Sequence, residues 1–133
     1  MMLLSLSATR PSGLGVREGR LAACPGTPNC VCSEDEGDSA IAPLTYEGDA
    51  AEAWQRLQSV LTRYPRTRLM SVTDDYIHAE CTSLLFRFVD DVEFRLDAVE
   101  KKIHFRSKSR AGRSDLGVNQ ARMETIREMF GKR

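Results

Sequence analysis

Apolar residues fall at helical spacing between Asp49 and Pro65, where Trp54, Leu57, Leu61 and Tyr64 recur with Val60 beside them. Asp49 stands at the N-cap, Glu52 occupies the capping-box position, and Pro65 stops the run. The period then changes from helical to alternating. "RLMSVT" alternates, "DD" turns the chain, and "YIHAECT" alternates again with Ile77, Ala79 and Cys81 on one side. "LLFRFVDDVEFRL" and "KIHFRSK" follow as two further strands. A four-residue loop between Asp97 and Lys102 sets Phe94 opposite Phe105 and Leu96 opposite Ile103 on one face. The same register sets Glu93 opposite Arg106 and Asp91 opposite Lys108 on the other, so apolar and charged sets separate. A second helix is expected from about Asn119 to Phe130, with Met123, Ile126 and Phe130 inward and Gly131 as C-cap.

Ahead of these elements, "IAPLTY" reads as a short edge strand, because Pro43 excludes it from a sheet centre. Residues 41–133 therefore read as a single α+β domain. Its expected architecture is an antiparallel sheet of four to five strands with two helices packed on one face. Residues 1–40 show no apolar period; "RPSGLGV" and "CPGTPN" are rich in Pro and Gly, and "SEDEGDS" is acidic and turn-rich. They read as an irregular arm draped over the domain.

Composition changes this picture little: 133 residues, 41% hydrophobic and 29% charged, fit one soluble globular domain. No window approaches the ~20 apolar residues of a membrane-spanning helix. "MMLLSLSA" is too short for a secretory signal, and "LAAC" lacks the apolar run that a lipoprotein cleavage box needs before it. The expected location is cytoplasmic, with a periplasmic or membrane-associated one as the alternative if an N-terminal segment is missing.

Charge is more informative, because the net value of zero hides an uneven distribution. Basic and acidic residues number 3 and 1 over residues 1–33, 6 and 15 over 34–100, and 10 and 3 over 101–133. An acidic middle and a basic end are expected to neutralise each other on folding, the competing reading being a basic binding face. Nucleic acid is disfavoured, since only Phe105 and Phe130 supply aromatics among the basic residues.

Three groups of residues carry candidate chemistry. Asp90 shares strand parity with Phe88, Val92 and Phe94, so it points at the apolar layer and needs a partner. Arg110 is the candidate, giving a structural ion pair; a carboxylate set for acid–base work or Mg²⁺ is the alternative. "RSKSRAGRSDLGVN" offers Arg106, Ser107, Ser109, Arg110 and Ser114 as donors, running into Asp115 and Asn119 near a helix start, a composition suited to an anion. The same arginines would equally satisfy Glu93 and Asp90, with Asn119 as a helix cap. His78 and His104 lie on the polar parity of their strands and read as surface imidazoles. The cysteines Cys24, Cys30 and Cys32 form a C-x5-C-x-C cluster, with Cys81, His78 and His104 distant. Free thiols, a local Cys24–Cys30 disulfide and a metal site all stay open.

"CPGTPNCVCS", "FRFVDDVEF" and "RSKSRAGRSDLGVN" together resemble the bacterial and plastid family known as domain of unknown function 1499. Its members show a "CP-x-x-PNCVSS" opening, an "FVDDVEF" strand and an "RSASR-x-G-x-SDLGVN" segment, and the likeness runs from about Arg10 to Arg127. The resemblance implies that Cys24, Asn29, Cys30, Asp90, Asp91, Glu93, Arg106, Ser107, Ser109, Arg110, Gly112, Asp115, Gly117 and Asn119 follow the family pattern. The chain departs from it at Cys32, Lys108 and Gln120. The family brings no agreed activity, and many relatives look membrane-tethered or exported.

These observations lead to a non-enzymatic binding or interaction module. Arg106, Ser107, Ser109, Arg110, Ser114 and Asn119 would hold an anionic ligand or protein partner, and Asp90, Asp91, Glu93 and Asp115 would support them. No cofactor, metal or catalytic residue is expected. The alternative is a metal-dependent, hydrolase-like enzyme using Asp90, Asp91 and Glu93, which requires those carboxylates to have oxygens not already committed to arginine. A purely structural or assembly role would leave no concave polar site.

Overall fold

The computed structural model describes residues 13–83, 88–110 and 117–132. The first long helix, α1 (Ala50–Arg63), begins where Asp49 accepts a hydrogen bond from the Glu52 amide at 3.0 Å. It buries Ala53, Trp54, Leu57, Val60 and Leu61. The Trp54 indole N–H, polar on an apolar face, donates to the Thr73 carbonyl at 2.9 Å.

Four strands follow as an antiparallel meander: β5 (Thr67–Val72), β6 (Tyr76–Thr82), β7 (Val89–Asp97) and β8 (Lys102–Ser109). The β7–β8 register pairs Phe94 with Phe105, Leu96 with Ile103, Glu93 with Arg106 and Asp91 with Lys108, as the alternation predicts. The Phe94 and Phe105 rings lie 6.4 Å apart and tilted by 50°, a favourable aromatic geometry. In the connecting loop, Asp97 accepts from the Glu100 amide, and Lys101 takes a left-handed φ of 56°. Edge strand β5 carries a bulge between Leu69 and Ser71.

The sheet is larger than the expected four to five strands, with six among the described residues. Its order is β3 (Cys30–Cys32), β8, β7, β6, β5, and β4 (Leu44–Thr45) pairs the same edge of β8. β4 lies within the predicted "IAPLTY" strand. β3 is too short for any alternation to reveal, and through it the arm joins the main sheet. A two-stranded hairpin, β1 (Val16–Arg17) with β2 (Arg20–Leu21), and a short 3₁₀ turn at Gly37–Ser39 complete the described part of the arm.

Helix α2 (Val118–Gly131) turns Met123, Ile126 and Phe130 inward as predicted. With α1 it covers the apolar side of the sheet, where Ile77, Val92, Phe94, Ile103 and Phe105 are fully buried. The fold is thus α+β, with both helices on one face. The other face is polar, and described residues of the arm lie against it: Gly15 reaches Glu93, and Ala23 reaches Arg106. Among the described residues, no helix is long and apolar enough to cross a membrane.

Candidate functional site

Asp90 points to the helix side of the sheet, as its parity requires, and is 5% exposed. Its partner is Arg122 of α2, at 2.6 Å, and not Arg110. The correction has a geometric cause: Arg110 continues β8 on the polar side, whereas α2 crosses above Asp90. Arg122 also donates to the Asn119 side-chain oxygen at 2.8 Å and to the Ser107 hydroxyl at 3.1 Å. Ser107 donates to Asn119 at 2.5 Å, and the Asn119 amide donates to Ser109 at 3.1 Å and to the Asn29 carbonyl at 3.0 Å. All these side chains are buried, so each unmade bond would cost a desolvation penalty. Asn119 therefore serves as a network node in the first turn, while Gly117 takes the N-cap with a left-handed φ of 83°.

On the polar face, Arg110 forms a two-pronged bond to Asp91, at 2.7 and 2.9 Å, and reaches Glu80 at 2.6 Å. These carboxylates, Asp91 foremost, raise the Arg110 pKa well above its ordinary value against the opposing effect of burial. His78 is 4% exposed and bonds Asp91 at 2.7 Å, so it is not the expected surface imidazole. Burial works to raise the Asp91 pKa, but the hydrogen bonds from Arg110 and His78 hold it below the usual carboxylate value. His104 is half-buried and bonds the Ser33 hydroxyl at 3.1 Å; burial lowers its pKa.

Glu93 is fully buried and accepts from the Tyr76 hydroxyl at 2.5 Å and the Gly15 amide at 2.6 Å. Burial, then Glu93 itself, pushes the Tyr76 phenol far above its ordinary pKa. Arg106 approaches the other Glu93 oxygen at 3.6 Å and donates to the Ala23 carbonyl at 3.5 Å. Lys108, opposite Asp91 in the ladder, donates to the Ser109 carbonyl.

The three carboxylates Asp90, Asp91 and Glu93 thus meet three different arginines, Arg122, Arg110 and Arg106. The acidic middle and basic end of the chain neutralise each other here. Among the described residues, one trio offers metal-ligand atoms: those of His78, Glu80 and Asp91 lie within 4.8 Å of one another. The Arg110 guanidinium already bonds both of its carboxylates.

Ser107, Ser109 and Asn119 are brought together, but in the buried network, with Arg106 and Arg110 on the opposite sheet face. Ser114 and Asp115 lie outside the described residues. Sequence reasoning missed Arg122 and Glu80 as site residues, and Asn29 entered only through the family resemblance. Arg122 had a signal: it falls on the inward α2 stripe between Asn119 and Ile126, a helical face that mixes polar with apolar residues. Glu80 becomes legible once the β6–β7 register sets it opposite Asp91.

Beside the network opens a cleft of about 770 Å³, lined on one side by Ala23, Cys24, Thr27, Pro28 and Val31 and on the other by Gly117 and Gln120. Asp35, Glu36 and Asp38 add acidic groups to its lining. Cys24 and Cys30 form a disulfide across a separation of six residues, while Cys32 and Cys81 are free and buried. Of the alternatives that spacing left open for Cys24 and Cys30, the bridge is the one present. The Asn119–Asn29 hydrogen bond fastens the cysteine loop to the start of α2, so the two cleft walls share one anchor.

No curated protein and no solved structure matches the chain. A family model described as protein of unknown function, DUF1499, matches residues 20–130. The match takes in the disulfide loop, all three carboxylate–arginine pairs and the Asn119 network, and covers most of the chain; the protein belongs to that family.

Proposed function

We propose that the protein is a non-enzymatic binding module whose ligand enters the cleft between the cysteine loop and the start of α2. The observation that carries this reading is the Asn119–Asn29 bond, which joins two walls distant in sequence around one concave space. A pre-formed cleft of this size suits a small polar molecule or a short segment of a partner. The lining acids Asp35, Glu36 and Asp38 favour neutral or cationic groups over the anion that composition suggests. An anion held by Arg106 and Arg110 has less support, because both guanidiniums are largely buried beside carboxylates. The hydrolase-like alternative is weakened by the same pairing of Asp90, Asp91 and Glu93. A disulfide between Cys24 and Cys30 persists in oxidising surroundings and supports an extracytoplasmic location.

A thermal-shift screen with amines, basic peptides, phosphorylated metabolites and divalent metals tests this reading. A cleft ligand at a hundredfold excess over Kd stabilises the protein by ~2.7 kcal/mol. Gln120 is exposed on α2, so Gln120→Trp should fill the cleft without disturbing the core and abolish the shift. A shift that survives Gln120→Trp but vanishes in Arg110→Ala would move the site to the arginine cluster. No shift with any compound class would leave the module reading without its small ligand and favour a protein partner.

A further inference from the structure

We propose that Cys24–Cys30 is a thiol–disulfide exchange site, reduced by a dithiol, that loosens one wall of the cleft while the core stays folded. The inference deepens the binding-module reading by naming a regulation of its cleft; the sulfur chemistry itself stands without a ligand.

The two sulfurs are unequally placed. Cys24 is part-exposed and Cys30 is 3% exposed, and both line the cleft. A reductant therefore reaches the Cys24 side. Its thiolate attacks the Cys24 sulfur, the Cys24–Cys30 bond breaks, and the electron pair leaves on Cys30. The second thiol of the dithiol then resolves the mixed disulfide, releasing Cys24. In total two electrons and two protons pass to the protein, and the dithiol becomes a disulfide.

The departing group is favourably placed. Cys30 is the ladder partner of Lys108, so the two side chains leave β3 and β8 on the same sheet face. The Lys108 ammonium donates to the Ser109 carbonyl at 3.0 Å, and a positive charge on this face of the sheet eases departure of a thiolate. Two residues further on, Cys32 is fully buried and its thiol donates to the Ala22 carbonyl at 3.8 Å. Burial pushes its pKa to about 11, so it stays a thiol and does not compete for the bridge.

The mechanical effect is local because the loop is held unevenly. Its far end is tied firmly: Cys30 sits in the sheet, and the Asn29 carbonyl accepts from Asn119 and from the Ser109 amide. At its near end, the Ala23 carbonyl accepts from Arg106 at 3.5 Å and the Cys24 amide donates to Asp35 at 3.0 Å, while the disulfide is the covalent tie. Residues 25–28 between them are exposed, and the Thr27 hydroxyl bonds Asn29 within the loop. Breaking the bridge loosens residues 24–28 of the wall. None of these residues belongs to the buried apolar cluster, which therefore loses nothing.

The test equilibrates the full chain with dithiothreitol in its reduced and oxidised forms. Alkylation read by mass spectrometry and amide hydrogen exchange are followed together. Expected is a reversible two-electron transition in which the part-exposed Cys24 becomes alkylated and the buried Cys32 and Cys81 do not. Exchange of the Cys24 amide, which the Asp35 bond protects, should rise at least tenfold, with β6 to β8 unchanged. Lys108→Gln should slow reduction several-fold while leaving the oxidised exchange pattern intact. Reduction that occurs only as the whole domain unfolds would overturn the proposal, as would reduction that leaves exchange of the Cys24 amide unaltered. Cys24→Ser supplies the open state without any reductant, and an amide at position 24 as protected as in the oxidised parent would also overturn it. A failed ligand screen beside a positive exchange result would remove the cleft's ligand and not the switch.

Discussion

Asp90 and Asp91 are chain neighbours that face opposite sides of the sheet, Asp90 to Arg122 above it and Asp91 to Arg110 below it. Strand alternation forces this division. The "DD" pair therefore joins two separate polar layers to one backbone and does not form a convergent carboxylate dyad.

Removing one partner from the upper pair should be severe. Arg122→Ala leaves a buried carboxylate uncompensated and should cost about 3–5 kcal/mol in chemical denaturation. Restoring neutrality with Asp90→Leu in the same chain should recover much of that loss. Equal instability of single and double variants would show that Arg122 acts through packing, not charge.

On the lower side, Asp91 should shape the acid limb of the stability curve. Its folded pKa is depressed, so its contribution is complete above the unfolded value of about 3.9 and disappears as pH falls through the lower folded value. Thermal melts between neutral pH and pH 2 should show a shallower acid limb in Asp91→Asn than in the parent.

Arg110 holds together a cluster that otherwise resembles a set of metal ligands. Arg110→Ala should destabilise the domain and give His78, Glu80 and Asp91 affinity for Zn²⁺. Isothermal titration should show this uptake in the variant and not in the parent, and a further His78→Ala should abolish it.

The apolar layer should respond in the ordinary way. Phe94→Ala empties a fully buried position against Phe105 and should cost about 3–5 kcal/mol, with the network around Asn119 preserved in the amide spectrum.

Much of this architecture was legible in the chain. The period of α1, the meander and the Phe94–Phe105 register followed from apolar spacing, because one-sided burial admits only one register. The carboxylate partners did not follow. Parity says which way Asp90 points, but choosing Arg122 over Arg110 depends on where α2 crosses the sheet, a tertiary fact. His78 was misread for a related reason: alternation assigns a side chain to a face without saying what covers that face. β3 was invisible because three residues carry no period. The candidate site suffered most, since its serines and arginines have the composition of an anion site whether they face a ligand or one another.

The position of β3 in the sheet also bears on the order of folding. The strands β5 to β8 meet their chain neighbours through short turns, whereas β3 must close a loop of some seventy residues before it finds β8. Synthesis makes the arm first, yet it has nothing to dock on until β8 is complete. Until then Glu93 and Arg106 keep their hydration on a half-built sheet. The last event is the costly one, the stripping of water from paired charges, and the N-terminal segment performs it.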